Sequence, residues 1–137
     1  MHIHIKICGF TEPVGLQAAL DAGVDSIGLV LDPSPRQLTM DEAIALAKHI
    51  PKHVDVVAVC GRPSLEEVSA IASELSPTFI QLMADALPPP ERGFAIIPAF
   101  EDGGDLLDRV AEYCDTIAEP QPLILADGPR PGSGIRA

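Results

Sequence analysis

Two titratable side chains in this sequence stand where they could act as a base and an acid. Cys8 ends the first apolar run, two residues after Lys6, and Asp127 directly follows the last one. A thiol ionised by Lys6 or by backbone donors could remove a proton, and a carboxyl group kept neutral by burial could donate one. Each also has a structural interpretation, since a lone cysteine in a strand usually packs and Asp before Gly usually forms a turn.

Three other places along the chain carry groups that could hold an anionic ligand. Arg36 lies in a proline-stiffened loop after the second apolar run, from which a guanidinium can pair with a carboxylate or phosphate. Gln81 ends the fourth run, as a polar contact to a ligand or as a satisfied buried amide. Gly132, Ser133 and Gly134 could direct backbone N–H groups at a phosphate, although such a segment is also a plain flexible tail.

The elements that must position these residues alternate along the chain. Short apolar runs predict strands at residues 3–8, 26–31, 54–59, 78–82, 94–99 and 123–126. Helical periodicity predicts four helices, at residues 12–22, 40–50, 65–75 and 106–117. Three consecutive prolines at 88–90 leave room for one helical turn at most between the fourth and fifth strands.

Local patterns predict where two of the helices begin and which side chains they bury. Thr39 with Glu42, and Ser64 with Glu67, have the spacing of capping boxes. The predicted inward faces are Leu16, Ala19 and Leu20; Ala43, Leu46, Ala47 and Ile50; Leu65, Val68, Ala72 and Leu75; and Leu107, Val110, Ala111 and Cys114.

Strands that alternate with helices indicate an α/β fold in which βαβ units surround a parallel sheet. The length favours one domain over residues 1–137. Two architectures remain open, an open doubly wound sheet and an incomplete (β/α) barrel of the TIM type, which usually has eight units in more than about 200 residues. Both place chemistry at the carboxyl ends of the strands, where the residues above lie.

Composition narrows the classes of function. The net charge of −11 disfavours nucleic-acid binding, because such a surface repels phosphate backbones. Cys8, Cys60 and Cys114 match no zinc or disulfide spacing, so we expect reduced thiols in the cytoplasm, with Cys60 and Cys114 as packing residues. His2 and His4 lie on one side of a strand but nothing else supports a metal site. Neither a signal sequence nor a membrane-spanning run is predicted.

Several short motifs follow one another in a recognisable order. They are Lys6-Ile7-Cys8-Gly9; Gly23-Val24-Asp25 with Ile27-Gly28-Leu29-Val30; Ser34-Pro35-Arg36; Ile80-Gln81-Leu82; and Leu125-Ala126-Asp127 with Gly132-Ser133-Gly134. This order resembles that of the phosphoribosylanthranilate isomerases, enzymes of tryptophan biosynthesis, along essentially the whole chain. The first and last motifs are the most specific.

The resemblance implies an activity and a role for each candidate residue. The family converts the aminoaldose N-(5-phosphoribosyl)anthranilate to an aminoketose by an Amadori rearrangement, without a metal or an organic cofactor. By this match Cys8 is the general base, Asp127 the general acid and Arg36 the contact to anthranilate. Gln81 would contact the substrate, and the segment 132–134 would bind its phosphate.

The sequence also departs from the family pattern. The family's barrel continues for two more β-α units, and Pro131 replaces the first glycine of the phosphate loop, which removes an N–H donor. Without those units the first and last strands have open edges, so we expect self-association, as a homo-oligomer or with a missing C-terminal segment. The alternatives left open are a truncated, non-catalytic module that binds phosphate, another anion or a partner, and an unrelated βαβ phosphosugar enzyme.

Overall fold

The computed structural model describes residues 1–86, 95–117 and 123–128, and its centre is one parallel sheet. The strands are β1 Lys6–Cys8, β2 Ser26–Val30, β3 Asp55–Val59, β4 Phe79–Met83, β5 Ile96–Glu101 and β6 Leu125–Asp127. Each strand pairs in parallel with its neighbours in the sequence, in the order β1-β2-β3-β4-β5-β6. A doubly wound sheet reverses its strand order, so the uninterrupted order identifies an incomplete (β/α) barrel.

Helices connect consecutive strands and lie on the outer side of the sheet. They are α1 Pro13–Asp21, α2 Met40–Ala47, α3 Leu65–Ala70 and α4 Leu106–Thr116. A π-helical turn, Ile71–Leu75, continues α3, and Ser76 ends it in the left-handed conformation with φ of 48°. A 3₁₀ turn, Ala84–Ala86, follows β4, whereas the prolines at 88–90 lie outside the described residues.

Both predicted capping boxes are confirmed. The Thr39 hydroxyl accepts from the backbone N–H of Glu42, and the Glu42 carboxylate accepts from the N–H of Thr39 at 2.8 Å. Ser64 and Glu67 make the same reciprocal pair, with the second bond at 2.6 Å. Each pair satisfies backbone donors that the first helical turn leaves without partners, so the start of each helix is fixed by its own sequence.

The main core lies between the outer face of the sheet and the helices. Ile27, Leu29 and Leu82 on the strands and Leu16 on α1 have no exposed surface. The predicted inward faces of α1 and α2 are confirmed, since each residue in them is buried or half-buried. The prediction for α3 was wrong at Leu65, which is 42% exposed because it occupies the first position of the helix, while Ile71 packs inward.

The predicted inward face of α4 was wrong at three of its four residues, and only Val110 is half-buried as expected. Leu107 is 81% exposed, and Ala111 and Cys114 are also exposed, so Cys114 is not a packing residue. The helix is instead turned so that Tyr113 meets Phe100 of β5 edge to face, with ring centroids 5.7 Å apart. Aromatic pairs of this geometry contribute to stability beyond their buried area, which favours the orientation of α4 that turns Tyr113 inward.

The sheet is curled, as a contact across its inner face shows. Lys6 Nζ on β1 donates a hydrogen bond to Gln81 Oε1 on β4, although β2 and β3 lie between these strands. Three strand spacings on a flat sheet amount to about 14 Å, and side chains that stand perpendicular to such a sheet do not meet across that distance. The curl therefore brings together residues that the strand order separates. In the described part of the chain, no helix is long and apolar enough to cross a membrane.

Candidate active site

The inner face of the curled sheet gathers four of the residues singled out in the sequence. Paired residues on adjacent strands point to the same face, as do residues two apart on one strand. The register that links them runs Cys8–Gly28, Gly28–Val57, Val59–Gln81, Gln81–Ile97, Ala99–Leu125 and Glu101–Asp127. Lys6, Cys8, Gln81 and Asp127 therefore share this face, and Cys8 and Asp127 lie at the carboxyl ends of the two outermost strands.

Lys6 is bonded to two of these groups at once. Its ammonium lies 3.1 Å from Cys8 Sγ and also donates to Gln81 Oε1. Gln81 is 8% exposed, while Lys6 and Cys8 are half-buried. Among the described residues the Gln81 Nε2 group has no hydrogen-bond partner, so one end of the amide holds Lys6 and the other stays available to a ligand.

Gly28 makes the space that the Cys8 side chain occupies. A Cβ built on Gly28 would lie 2.2 Å from Cys8 Sγ and 3.0 Å from its Cβ. Any larger residue would therefore displace the thiol from its position beside Lys6. Gly28 belongs to a motif quoted from the sequence but was given no role there, although a single glycine inside an apolar strand is a known sign of close approach.

Gly9 brings the Arg36 side chain close to the end of β1. Gly9 has φ of +92°, which L side chains rarely adopt, and a Cβ there would meet Arg36 Cδ at 2.7 Å and Nε at 3.0 Å. The aliphatic part of Arg36 thus lies over the bare backbone that follows Cys8. The loop is held locally, since the backbone N–H of Arg36 donates to Ser34 Oγ at 3.2 Å.

Asp127 is half-buried at the end of β6 and its orientation is fixed by the next residue. The backbone N–H of Gly128 donates to Asp127 Oδ1 at 2.8 Å, and the Asp127 carbonyl accepts from the N–H of Asp102 at 2.7 Å. Among the described residues Oδ2 accepts no hydrogen bond, whereas Oδ1 accepts the one from Gly128. Gly132, Ser133 and Gly134, the predicted phosphate contacts, lie outside the described residues.

The second cysteine near the strand ends, Cys60, is a buried and unreactive thiol. Cys60, which follows β3, is 5% exposed, as predicted for a packing residue. Burial, together with the carboxylates of Asp32 and Glu67, raises the pKa of the Cys60 thiol to about 12. It is therefore protonated at neutral pH, and Cys8 is the thiol that the inner face presents.

Known proteins resemble the chain both in sequence and in structure. N-(5'-phosphoribosyl)anthranilate isomerase from Listeria monocytogenes is 36% identical over 130 residues, a match that spans 91% of this chain and 60% of that protein. The crystal structure of phosphoribosyl anthranilate isomerase from Thermus thermophilus is 31% identical with a TM-score of 0.80, covering 96% of this chain and 66% of that one. No family model matches the chain.

A third match adds a bound ligand and shows the same fold. This phosphoribosyl anthranilate isomerase was crystallised with reduced 1-(o-carboxyphenylamino)-1-deoxyribulose 5-phosphate; it is 23% identical, with a TM-score of 0.78, over 93% of this chain and 66% of that one. The chain spans about 60% of the length of the curated relative from Listeria. Sequence identity over nearly all of the chain, with the same strand order, shows that the chain belongs to the phosphoribosylanthranilate isomerase family.

Proposed function

We propose that this chain carries the acid and the base of a phosphoribosylanthranilate isomerase. The reaction is the Amadori rearrangement of N-(5-phosphoribosyl)anthranilate to carboxyphenylamino-deoxyribulose phosphate, whose reduced form occupies the related crystal structure. The observation that carries the proposal is that Cys8 and Asp127 share the inner face of one curled sheet, at the carboxyl ends of its outermost strands.

The proposed chemistry assigns one proton transfer to each group. Asp127, protonated at Oδ2, gives its proton to the furanose ring oxygen as the bond from that oxygen to C1 of the sugar breaks, which leaves a Schiff base. The Cys8 thiolate then removes the proton from C2, and the electrons of that C–H bond form an enolamine. The enolamine tautomerises to the ketone, so that an aldose becomes a ketose with no net oxidation.

The neighbouring side chains fit the charges of such a substrate. Arg36 beside Gly9 is placed to pair with the carboxylate of anthranilate or to lie against its ring. The Gln81 amide N–H group is available to a sugar hydroxyl. We assign the phosphate to the backbone N–H groups of Gly132, Ser133 and Gly134, which would act as an anion-binding segment.

The proposal is tested by two substitutions that remove the reacting groups and little else. We expect Cys8→Ala and Asp127→Asn each to abolish turnover, measured as the consumption of N-(5-phosphoribosyl)anthranilate by its fluorescence, with circular dichroism spectra unchanged. Turnover that survives either substitution would contradict the assignment. Cys114→Ala is the matched control, because it removes an exposed thiol on α4 and should leave turnover as it was.

The assay should be run on two lengths of protein. One is the 137-residue chain, and the other is a version extended by the two β-α units that its relatives add. Turnover by the chain alone would mean that six strands suffice for the site. If only the extended form turns over, the substitutions are tested in that form, and the added units are needed to complete the site.

A further inference from the structure

We infer that Lys6 is a positioning residue whose ammonium keeps Cys8 as a thiolate, and that Gln81 holds Lys6 in place for this task. The inference deepens the proposed function, since it concerns how the proposed base is kept ionised. It rests on the geometry of three side chains on the inner face and concerns a residue with no direct part in the proton transfers.

The first argument is the unusual environment of Lys6. The chain has three lysines, and Lys48 and Lys52 are exposed, whereas Lys6 is half-buried inside the curl of the sheet. Taking an ammonium out of water costs free energy unless acceptors replace the lost hydration. The two acceptors found are Cys8 Sγ and Gln81 Oε1, and only the sulfur can become an anion.

The second argument is that the contact favours one state of the thiol. Lysine has donors and no acceptor, so at 3.1 Å from Sγ it stabilises a thiolate by charge and by a hydrogen bond. A cation within a few ångströms is the usual means of activating a cysteine. A protonated thiol would gain much less from the same neighbour.

The third argument is the role of Gln81, which lies three strands away from Lys6. A lysine side chain has four rotatable bonds and does not stay in one place without a second anchor. The Gln81 amide oxygen supplies that anchor, and it is fixed because Gln81 is almost completely buried on β4. The neutral amide orients the ammonium without competing for its charge, as a carboxylate at this position would.

Other ionisable groups share the inner face and bear on the same thiol. By register they are Asp55, Glu101 and Asp127, with His4 beside Ser26 and with Arg36 at the end of β1 as a second cation. Three of these five groups are carboxylates. A fourth is the His4 imidazole, which Ser26 Oγ contacts at 2.6 Å. The carboxylates oppose the ionisation of Cys8, so a cation in direct contact is needed to offset them.

The test measures the thiol itself and needs no isomerase activity. In a Cys114→Ser background, Cys8 is the reactive thiol, because Cys60 is buried and protonated. The rate of alkylation by iodoacetamide is measured at about pH 7 and about pH 9.5, where an isolated thiol passes from a few per cent ionised to mostly ionised. The alkylation rate at about pH 7 divided by the rate at about pH 9.5 reports how much of the thiol is already ionised at the lower pH. Differences in access to the thiol cancel in this ratio.

We expect Lys6→Met to lower that ratio by about tenfold, which is the size of effect that a charge at this distance has on a neighbouring acid. Lys6→Arg keeps the charge and should restore most of the ratio, and Gln81→Met should lower it by a smaller factor. The control Lys48→Met removes an exposed lysine of equal size and should leave the ratio unchanged. An unchanged ratio in Lys6→Met would overturn the inference, and so would an equal loss in Lys6→Arg.

Two further measurements separate this inference from a structural role and from the proposed function. If Lys6 served only to tie β1 to β4, Lys6→Met would lower the midpoint of urea unfolding and leave the alkylation ratio as it was. In a form of the protein that has isomerase activity, Lys6→Met should lower kcat with little change in KM. A lowered alkylation ratio in a protein that shows no turnover at either length would support the role of Lys6 and count against the proposed activity.

Discussion

At the scale of single residues, the candidate site depends on the space beside two glycines as much as on the functional groups of other side chains. Gly28 has no side chain where Cys8 Sγ lies, and Gly9 has none where Arg36 crosses the backbone. Both glycines adjoin groups that the proposed reaction uses. The shape of the site is therefore set by backbone positions that carry no chemistry themselves.

Gly28→Ala should impair the site while leaving the fold in place. The new methyl group would lie 2.2 Å from Cys8 Sγ, so the thiol must rotate away from Lys6 or the strands must separate. We expect turnover to fall by about tenfold or more and the free energy of unfolding to fall by roughly 1–3 kcal/mol, as overpacking usually costs. Both are measured in the form of the protein that supports turnover.

Gly104→Ala is the matched control for this substitution. A Cβ on Gly104 would meet nothing within 4 Å, and this exposed residue lies in the turn that precedes α4. It should change neither quantity. Normal turnover in Gly28→Ala would show that the thiol does not need its present position beside Lys6.

At the scale of elements, β1 is short and its approach to the sheet depends on a side chain of its neighbour. The ladder with β2 begins only at Lys6, although the apolar run predicted a strand from residue 3. The segment before it is held by Asp25, which accepts from the N–H of Ile5 at 2.8 Å and contacts His2 Nε2 at 2.7 Å. Backbone bonds hold this segment as well, since the Ile5 carbonyl accepts from the N–H groups of Asp25 at 2.9 Å and Ser26 at 3.1 Å, and the Asp25 carboxylate adds to them.

This contact predicts a dependence of stability on pH. The hydrogen bond from Ile5, followed by that from His2, lowers the pKa of Asp25 below its ordinary value of 3.8. Because the folded state holds the proton less tightly than the unfolded state, the contact stabilises the fold above the unfolded pKa. That stabilisation is lost as pH falls through the unfolded value to the lowered folded one.

Urea unfolding of the parent chain and Asp25→Asn measures the effect. The parent should exceed the variant in free energy of unfolding at pH 7, and the difference should shrink on acidification below about pH 4. Asp21→Asn is the control, since Asp21 is exposed and accepts from the Gln17 side chain and not from a backbone amide. A difference that stays constant from pH 7 to pH 3 would contradict the role given to Asp25.

The helices show which local signals could be read from the sequence. The capping boxes at Thr39 and Ser64 depend on residues three apart, so the sequence alone located them. The predicted inward face of α4 was wrong at three residues because Leu106, Val110 and Tyr113 form a second apolar stripe, about 100° from the predicted one. The ring of Phe100 on β5 decides between those stripes, and this contact is not visible along the chain.

At the scale of the whole molecule, the alternation of strands and helices predicted the parallel sheet but left its closure open. The strand-end rule then brought Cys8 and Asp127 to one edge of the sheet, while Lys6 and Gln81 lie on the same face within β1 and β4. The bond between Lys6 and Gln81 could not be predicted, because it depends on how strongly the sheet curls. The positions of candidate residues thus followed from the sequence, while their mutual contacts required the three-dimensional structure.

The outer side of β1 leads to the last prediction, that the 137-residue chain self-associates. Ile3, Ile5 and Ile7 alternate along one face of the N-terminal segment and are 72%, 47% and 40% exposed. In the described part of the chain β1 pairs with β2 alone, so its other edge offers free backbone donors and acceptors beside apolar side chains. Such an edge favours pairing with a second copy.

Sedimentation velocity over a range of concentrations should therefore show species larger than the monomer, increasing with concentration. Ile3→Lys places a charge on the exposed face of the edge and should shift the distribution toward monomer, as charged edge residues do in natural sheets. Leu107→Lys is the matched control, because Leu107 is 81% exposed against 72% for Ile3 but lies on α4, between β5 and β6. If both variants dissociate the assembly equally, general hydrophobicity and not the edge holds it together, and a parent chain that stays monomeric would show that the edge is protected.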